Sequence, residues 1–384
     1  MLNTPAARID SLPPLYGGGG GMTPGGNTPA STRDHQGPRI IVGNALAGDT
    51  IDVCDYLDAG DGVQLQAAIT AASVPTNKYD VWVRPGFIQL SAPITVANFV
   101  TVRFADIGSV VQVSTLDRRG FILGTGASLY NLRLQVTTPA PGATGDTLVQ
   151  IGVLCTLRDC WFTASAYSAA TADESLRYFV RAPVAATSAV LTNVYITMPN
   201  FQQSGLPQNM TGVSLVMSTT DNSPVELVNC NTTNGDVGFE CQGNALMSGC
   251  TTQASMRRGI VLSTVNTGSY KQVVSGCRVQ VFGTNTVDRA GIEVVTGSRP
   301  AGASVIIDAC SVTNVGAAPA TAAGVRLSGT GYGTILSACA IDAFPLGLTV
   351  AAGQAEVSAK GTIRGATTPV TDASGSLLNE MRVI

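Results

Sequence analysis

A nine-residue word, DACSVTNVG at residues 308 to 316, returns in degenerate form through most of this chain, and that return constrains the fold more than any other feature. Aligned on its centre, the word falls at Leu132, Cys160, Val194, Cys230, Cys250, Cys277, Cys310 and Cys339, with separations of 28, 34, 36, 20, 27, 33 and 29 residues. Three residues earlier stands Leu129, Leu157, Leu191, Leu227, Met247, Val274, Ile307 or Leu336, apolar every time. Directly before the centre stand Asn131, Asp159, Asn193, Asn229, Gly249, Gly276, Ala309 and Ala338. All but the two alanines belong to the types that most readily take the left-handed conformation of a tight corner. The word therefore predicts one bend per repeat, set between two inward-facing apolar residues.

A second row alternates with the first: Gly212-Val-Ser-Leu, Gly238-Phe-Glu-Cys, Gly259-Ile-Val-Leu, Gly291-Ile-Glu-Val, Gly324-Val-Arg-Leu and Gly347-Leu-Thr-Val. After each glycine the first and third residues are apolar and the second varies, the period-two pattern of a strand with one buried face. Two rows per repeat joined by variable loops describe a solenoid. Composition agrees: charged residues make up 12% of the chain, against about 25% in ordinary domains, so small neutral side chains must cover the surface, which suits stacked strands better than helices. The cysteines at 160, 230, 250, 277, 310 and 339 are expected to stack inward as reduced thiols, because Cys is small and often fully buried. Bridging between neighbouring coils, at about 4.8 Å, and metal binding are the other readings.

Residues 1–48 hold ten Gly and six Pro with no strand or helix period, and read as an extended arm, either a free tail or a segment that orders on a partner. From Asp49 the texture changes. Val63 to Ala72 reads as a short helix opened by the acidic turn Asp58 to Gly62, followed by the strand Val81-Trp82-Val83 and the turn Arg84-Pro85-Gly86. This stretch resembles the opening of the pectate-lyase-like right-handed β-helix superfamily, through Gly60-Asp61-Gly62, Ala67-Ala68-Ile69 with Ala71-Ala72, and Val81 to Ile88. It departs from that pattern at Leu65 and Gln66, where an acidic pair is usual, and at Arg84, where Pro is common. The expected fold is all-β: a right-handed parallel β-helix over residues 81–365, a short N-terminal capping helix within 49–80, the arm at 1–48, and a tail or cap at 366–384.

The inventory excludes much chemistry. The one histidine, His35, lies in the arm, which removes Ser-His-Asp, Cys-His and HExxH sites from the body. A net charge of −3 with three lysines leaves no basic stripe for nucleic acid. No apolar run reaches 18 residues, so no membrane span is expected, and the N-terminal sequence shows no signal-peptide pattern. No cofactor or metal is called for. What remains is glycan chemistry, which needs two carboxylates. Glu240 and Glu293 hold the variable position of the glycine row two coils apart, about 9.6 Å, near the upper end of the span used by inverting glycosidases, about 6.5–9.5 Å. Arg326, one coil from Glu293, would keep that carboxylate ionised. A catalytic pair and a surface or subunit-interface ion pair are the two readings, the second favoured. Trp161 and Tyr195 follow their centres in consecutive repeats and should form an outward aromatic patch, for sugar or for a subunit contact.

β-Helices with a Gly/Pro-rich arm, a GDG opening and no catalytic motif are similar to bacteriophage virion proteins. That resemblance implies a structural virion component, a spike, fibre or decoration protein, assembled in the host cytoplasm. It would be homotrimeric and docked to other virion proteins through residues 1–48. The alternative is a tailspike that binds or hydrolyses host surface polysaccharide, so enzymatic activity stays open, with its absence favoured.

Overall fold

The computed structural model describes residues 39–384 apart from 75–78, 106–108, 114–118, 137–145, 165–175, 187, 199–209, 218–223, 256, 264–269, 283–287 and 297–303. The chain forms the parallel β-helix that the repeats predict. Successive coils pair strand on strand in parallel, and like positions of the repeat sit opposite each other. One sheet bends sharply along the corner row, so each coil has three walls. In one coil the first wall is Ala245–Ser248, the second Thr251–Ser255 and the third Arg258–Ser263.

All eight corner residues are left-handed, from Asn131 at φ 57° through Asp159, Asn193, Asn229, Gly249, Gly276 and Ala309 to Ala338 at φ 51°. Two alanines accept this strain because the corner is over-determined. Leu336 and Cys339, on either side of Ala338, are both 1% exposed, so the backbone must turn to bury both. The cysteines are unbridged and buried, and they do more than fill space. Five of the six thiols of the row reach across to a carbonyl of the preceding coil, three residues before that coil's centre, while Cys277 donates to Ser275 of its own coil. Cys230 donates to Leu191 at 3.3 Å, Cys250 to Leu227 at 3.4 Å, Cys310 to Val274 at 3.5 Å and Cys339 to Ile307 at 3.3 Å. Val194 holds the same row position without a donor, so burial sets the row and the thiol adds a weak bond beside the corner.

The glycine row has its own steric cause. A Cβ on Gly291 would meet Cγ1 of Val312 on the facing second wall, and it would lie 2.7 Å from the carbonyl oxygen of Gly324 in the next coil. Gly259 meets Val279, and Gly324 meets Ile341, in the same way. The third wall approaches the second so closely here that its glycines make room for branched side chains opposite.

At the N-terminal end the helix Val63–Ala72 covers the first coils with Leu65, Ala68, Ile69 and Ala72, all buried. Asp58, fully buried, starts it: one carboxylate oxygen accepts the N–H groups of Gly60, Asp61 and Gly62 at 2.7, 3.0 and 3.1 Å, and the other accepts Leu65 N–H at 3.0 Å. The acidic GDG turn is thus an anchor for the capping helix.

Three expected boundaries move. Arg39–Asn44, assigned to the arm, is a strand that pairs with Tyr56–Asp58 and Asp80–Val83 and buries Ile40 and Val42. Two alternating apolar residues beside a Gly/Pro-rich segment were too short a signal. Residues 49–80 likewise carry the strand Tyr56–Asp58 besides the helix. Residues 366–384 are a further coil, with Thr368–Asp372 and Leu377–Val383 in parallel register with their neighbours. The arm's remaining residues, 1–38 with His35, lie outside the described residues.

Burial raises the thiol of Cys160 to about 12, and hydrogen bonding with the neighbouring thiol of the row, with burial behind it, raises those of Cys250, Cys277 and Cys310 to about 12. At pH 8 a thiol reagent should label these cysteines at a small fraction of the rate seen in denaturant; rapid native labelling would contradict the ladder. Gly291→Ala should destabilise the protein by about 1–3 kcal/mol, the usual cost of overpacking, measured by chemical denaturation.

Candidate functional site

The third wall carries the expected outward row. Ser214, Glu240, Val261, Glu293, Arg326 and Thr349 stand opposite one another in consecutive coils. Glu240 and Glu293 are therefore two coils apart, with the apolar Val261 between them, and Arg326 is adjacent to Glu293, as the spacing requires.

The two glutamates are occupied differently. Glu240 accepts a hydrogen bond from the hydroxyl of Ser214 at 2.9 Å. Glu293 is gripped from both sides: Nε of Arg258 donates to its Oε2, and Nη1 of Arg326 lies 3.6 Å from its Oε1. Only 12% of the Glu293 side chain is exposed. Asp288 joins the same two arginines, 2.6 and 2.8 Å from Arg326 and 3.1 Å from Arg258. Arg326 also donates to the carbonyls of Thr321 and Arg289, and Arg258 to those of Arg257 and Asp288. The result is a neutral four-member network of two carboxylates and two guanidiniums, braced on backbone. Hydrogen bonding from Arg326 holds the Asp288 carboxyl down at about 2.

Beside it, Asp236 is paired with Arg257. Burial pushes the Asp236 carboxyl up, while the Arg257 guanidinium pulls it down and is itself raised by the pairing. The Asp236 carbonyl accepts the backbone N–H groups of both Arg257 and Arg258. This residue fixes the start of the strand that presents Arg258.

General acid catalysis needs a carboxyl that can hold a proton near neutral pH and reach the scissile oxygen. Glu293 has only 12% of its side chain exposed and a guanidinium beside each of its oxygens, so it is not placed to reach a scissile oxygen. Its surroundings are those of a structural ion network. Sequence reasoning found Arg326 but missed Arg258 and Asp288. Arg258 was legible, since it directly precedes Gly259 of the glycine row; Asp288 lies in the connection between the second and third walls of its coil, where no period operates.

Trp161 and Tyr195 do meet, in adjacent coils of the second wall, with ring centroids 5.1 Å apart and planes 10° from parallel. Other outward rings are already faced by guanidiniums: Trp82 by Arg39 at 5.1 Å, Tyr130 by Arg103 at 4.1 Å and Tyr178 by Arg181 at 4.2 Å. Trp82, Arg103, Tyr130 and Arg158 form one row of the first wall, held further by ion pairs of Arg103 with Asp80 at 3.0 Å and of Arg158 with Asp159 at 3.4 Å. The Arg39–Trp82 and Arg103–Tyr130 stacks tie neighbouring coils, while Arg181 and Tyr178 share one strand; each exposed pair contributes about 0.5–1 kcal/mol.

No family model and no curated protein matches this chain. Among solved structures, the catalytic unit of a thermostable GH87 α-1,3-glucanase from Streptomyces thermodiastaticus strain HF3-3 is similar at TM-score 0.42 and 13% identity, covering 85% of this chain and 66% of that one. This chain thus spans just under two thirds of that catalytic unit. PfbA, a surface adhesin of Streptococcus pneumoniae, gives 0.35 and 10%, covering 86% and 91%. The A-module of the mannuronan C-5 epimerase AlgE6 from Azotobacter vinelandii gives 0.32 and 14%, covering 86% and 98%. Likeness at this level carries no functional argument.

Arg326→Ala removes a partner from both carboxylates and should cost about 1.5–3 kcal/mol, read from urea denaturation at pH 7. Because the Asp288 carboxyl is depressed when folded, its contribution is present above the unfolded value of about 3.9 and is lost as pH falls through about 2. Asp288→Asn should therefore flatten the loss of stability between about pH 4 and pH 2; an unchanged acid limb would contradict the network.

Proposed function

We propose that this chain is a non-catalytic structural component of a bacteriophage particle, a projecting β-helix attached through residues 1–38 and assembled as a homotrimer. The observation that carries the non-catalytic part is the double arginine grip on Glu293, which leaves one member of the carboxylate pair suggested by the spacing with both oxygens engaged and little room for substrate or water. Support for a scaffold comes from the way polar surface groups are used. Ion pairs and cation–π contacts link one coil to the next along the solenoid, which stiffens it. The Gly/Pro-rich composition of the arm suits a segment that gains order from a partner, and the attachment reading rests on it. Among the described residues no helix is long and apolar enough to cross a membrane.

A second reading, binding of host surface polysaccharide without cleavage, is favoured by the Trp161–Tyr195 pair, whose flat outward surface has the shape of a sugar platform.

The test has two arms. Purified full-length protein should release no oligosaccharide from host envelope polysaccharide, and the Glu240→Gln, Glu293→Gln double variant should behave identically. Turnover that disappears in the double variant would overturn the structural reading. A chain starting at Arg39 should keep the circular dichroism of the whole protein and fail to enter particles, as followed by antibody labelling in electron micrographs. Normal incorporation of that shortened chain would refute attachment through the arm.

A further inference from the structure

The outward face of the first wall changes character along the solenoid. Its middle row runs Ser128, Thr156, Val190, Glu226, Leu246, Val273, Ile306, Ile335, Ser358, Leu378, each opposite the next in consecutive coils. Four successive coils thus point a branched aliphatic side chain away from the core, and a fifth follows after Ser358. These are truly outward positions. Val273 lies between the buried Gln272 and Val274, and Ile306 between the buried Val305 and Ile307. Leu246 is 37% exposed, Ile335 44% and Leu378 64%. A half-buried strand should carry polar residues here; this one carries a straight apolar stripe, about 24 Å from Leu246 to Leu378 at the usual spacing of strands.

From this stripe we infer that the C-terminal half of the first wall is a subunit interface, at which a second copy of this chain lies alongside in parallel, like end beside like end. The occupant follows from shape and charge. Only a partner with an equally long, straight, uncharged ridge fills such a stripe, and the stripe itself is one. From Leu246 to Ile335 the bordering rows are small and mostly neutral, with Ser248, Ser275, Asp308 and Ser337 on one side and Lys271 and Ser304 on the other; the last coils border the stripe with Glu356 and with Lys360 paired to Glu380. Flat walls can approach closely there. A symmetry axis along the solenoid, twofold or threefold, brings the Lys271 border of one copy against the Asp308 border of the next, one coil out of level. Within a chain Lys271 and Asp308 stand at opposite edges of the wall, about 13 Å apart at the usual rise per strand residue, too far to pair. Across the axis they are complementary. The stripe contains no aromatic ring and no charge, so it offers nothing to stack or to bind a sugar.

This inference concerns a surface separate from the arm and from the third wall, and it stands whether or not the chain belongs to a particle. Sedimentation of the full chain should give a multiple of its 39.3 kDa mass. Ile306→Asp, at an outward position, should shift it to the single-chain mass while leaving circular dichroism and melting of the coils unchanged. Lys271→Asp and Asp308→Lys should each weaken assembly at least tenfold in concentration, and together restore it. Leu246→Cys and Ile335→Cys separate the arrangements: in parallel copies each residue faces its own counterpart, so both variants cross-link to themselves under oxidation. A dyad across the solenoid allows this for one of the two at most. A single-chain mass for the unaltered protein, assembly indifferent to Ile306→Asp, or self-cross-linking at one position alone would overturn the proposal.

Discussion

Everything in this molecule depends on one constraint: each residue lies directly against its equivalent one coil away. Parallel strands at about 4.8 Å leave an interior side chain no freedom to choose neighbours; it packs on its own kind, above and below. A row therefore works only if its residue type stacks on itself without clash and without unpaired polar atoms. Branched aliphatics satisfy that on flat walls. At the corner, where the backbone is left-handed and the ladder is interrupted, a thiol satisfies it better, being small enough to stack and able to donate to the carbonyl of Leu191, Leu227, Val274 or Ile307 in the coil before. The same logic sets the glycines of the third wall, because the branched residues opposite them form an unbroken row as well.

Stacking of like on like is hardest for charges, and the outward row of the third wall shows how the chain manages it. Like charges never occupy neighbouring coils there: Glu240 is followed by Val261, and Glu293 by Arg326. Arg258, at the edge of the row, supplies the second cation that Glu293 needs. The first wall solves the problem with alternation of ring and guanidinium, Trp82, Arg103, Tyr130, Arg158. In both cases the charge is spent on neighbouring coils, which is the contact that holds a one-dimensional stack together.

How much of this was legible in the sequence follows from the same constraint. Rows are visible because equivalence in space becomes repetition along the chain. The corners, the thiols, the glycine row, and the neighbour relations of Glu240, Glu293, Arg326, Trp161 and Tyr195 could all be read from spacing alone. Three things were not legible. Asp288 lies in a connection whose length varies from coil to coil, so repetition says nothing about where its carboxylate ends up. The strand Arg39–Asn44 belongs to a coil with no complete word, and its apolar residues were masked by the Gly and Pro before it. The grip of Arg258 on Glu293 joins positions three residues apart in register, a diagonal that an alignment by rows does not display.

The stripe on the first wall is hidden in the sequence for a different reason. A row that is apolar every time stands out in the sequence, but Leu246, Val273, Ile306 and Ile335 occupy a position that earlier coils fill with Ser128, Thr156, Val190 and Glu226. Over the whole chain the position is variable, which resembles solvent exposure; over the four coils from Leu246 to Ile335 it is aliphatic without a break, and after Ser358 it is so again at Leu378. A core row must be apolar from end to end, since every coil has an interior. A contact row is apolar only for as long as the partner lies beside it. In a solenoid, then, an apolar row that begins partway along the outer face locates a partner and its extent. By that criterion the coils from Leu246 onward are the part of this molecule shaped by contact with another surface, while the coils before it are shaped by contact with one another and with water.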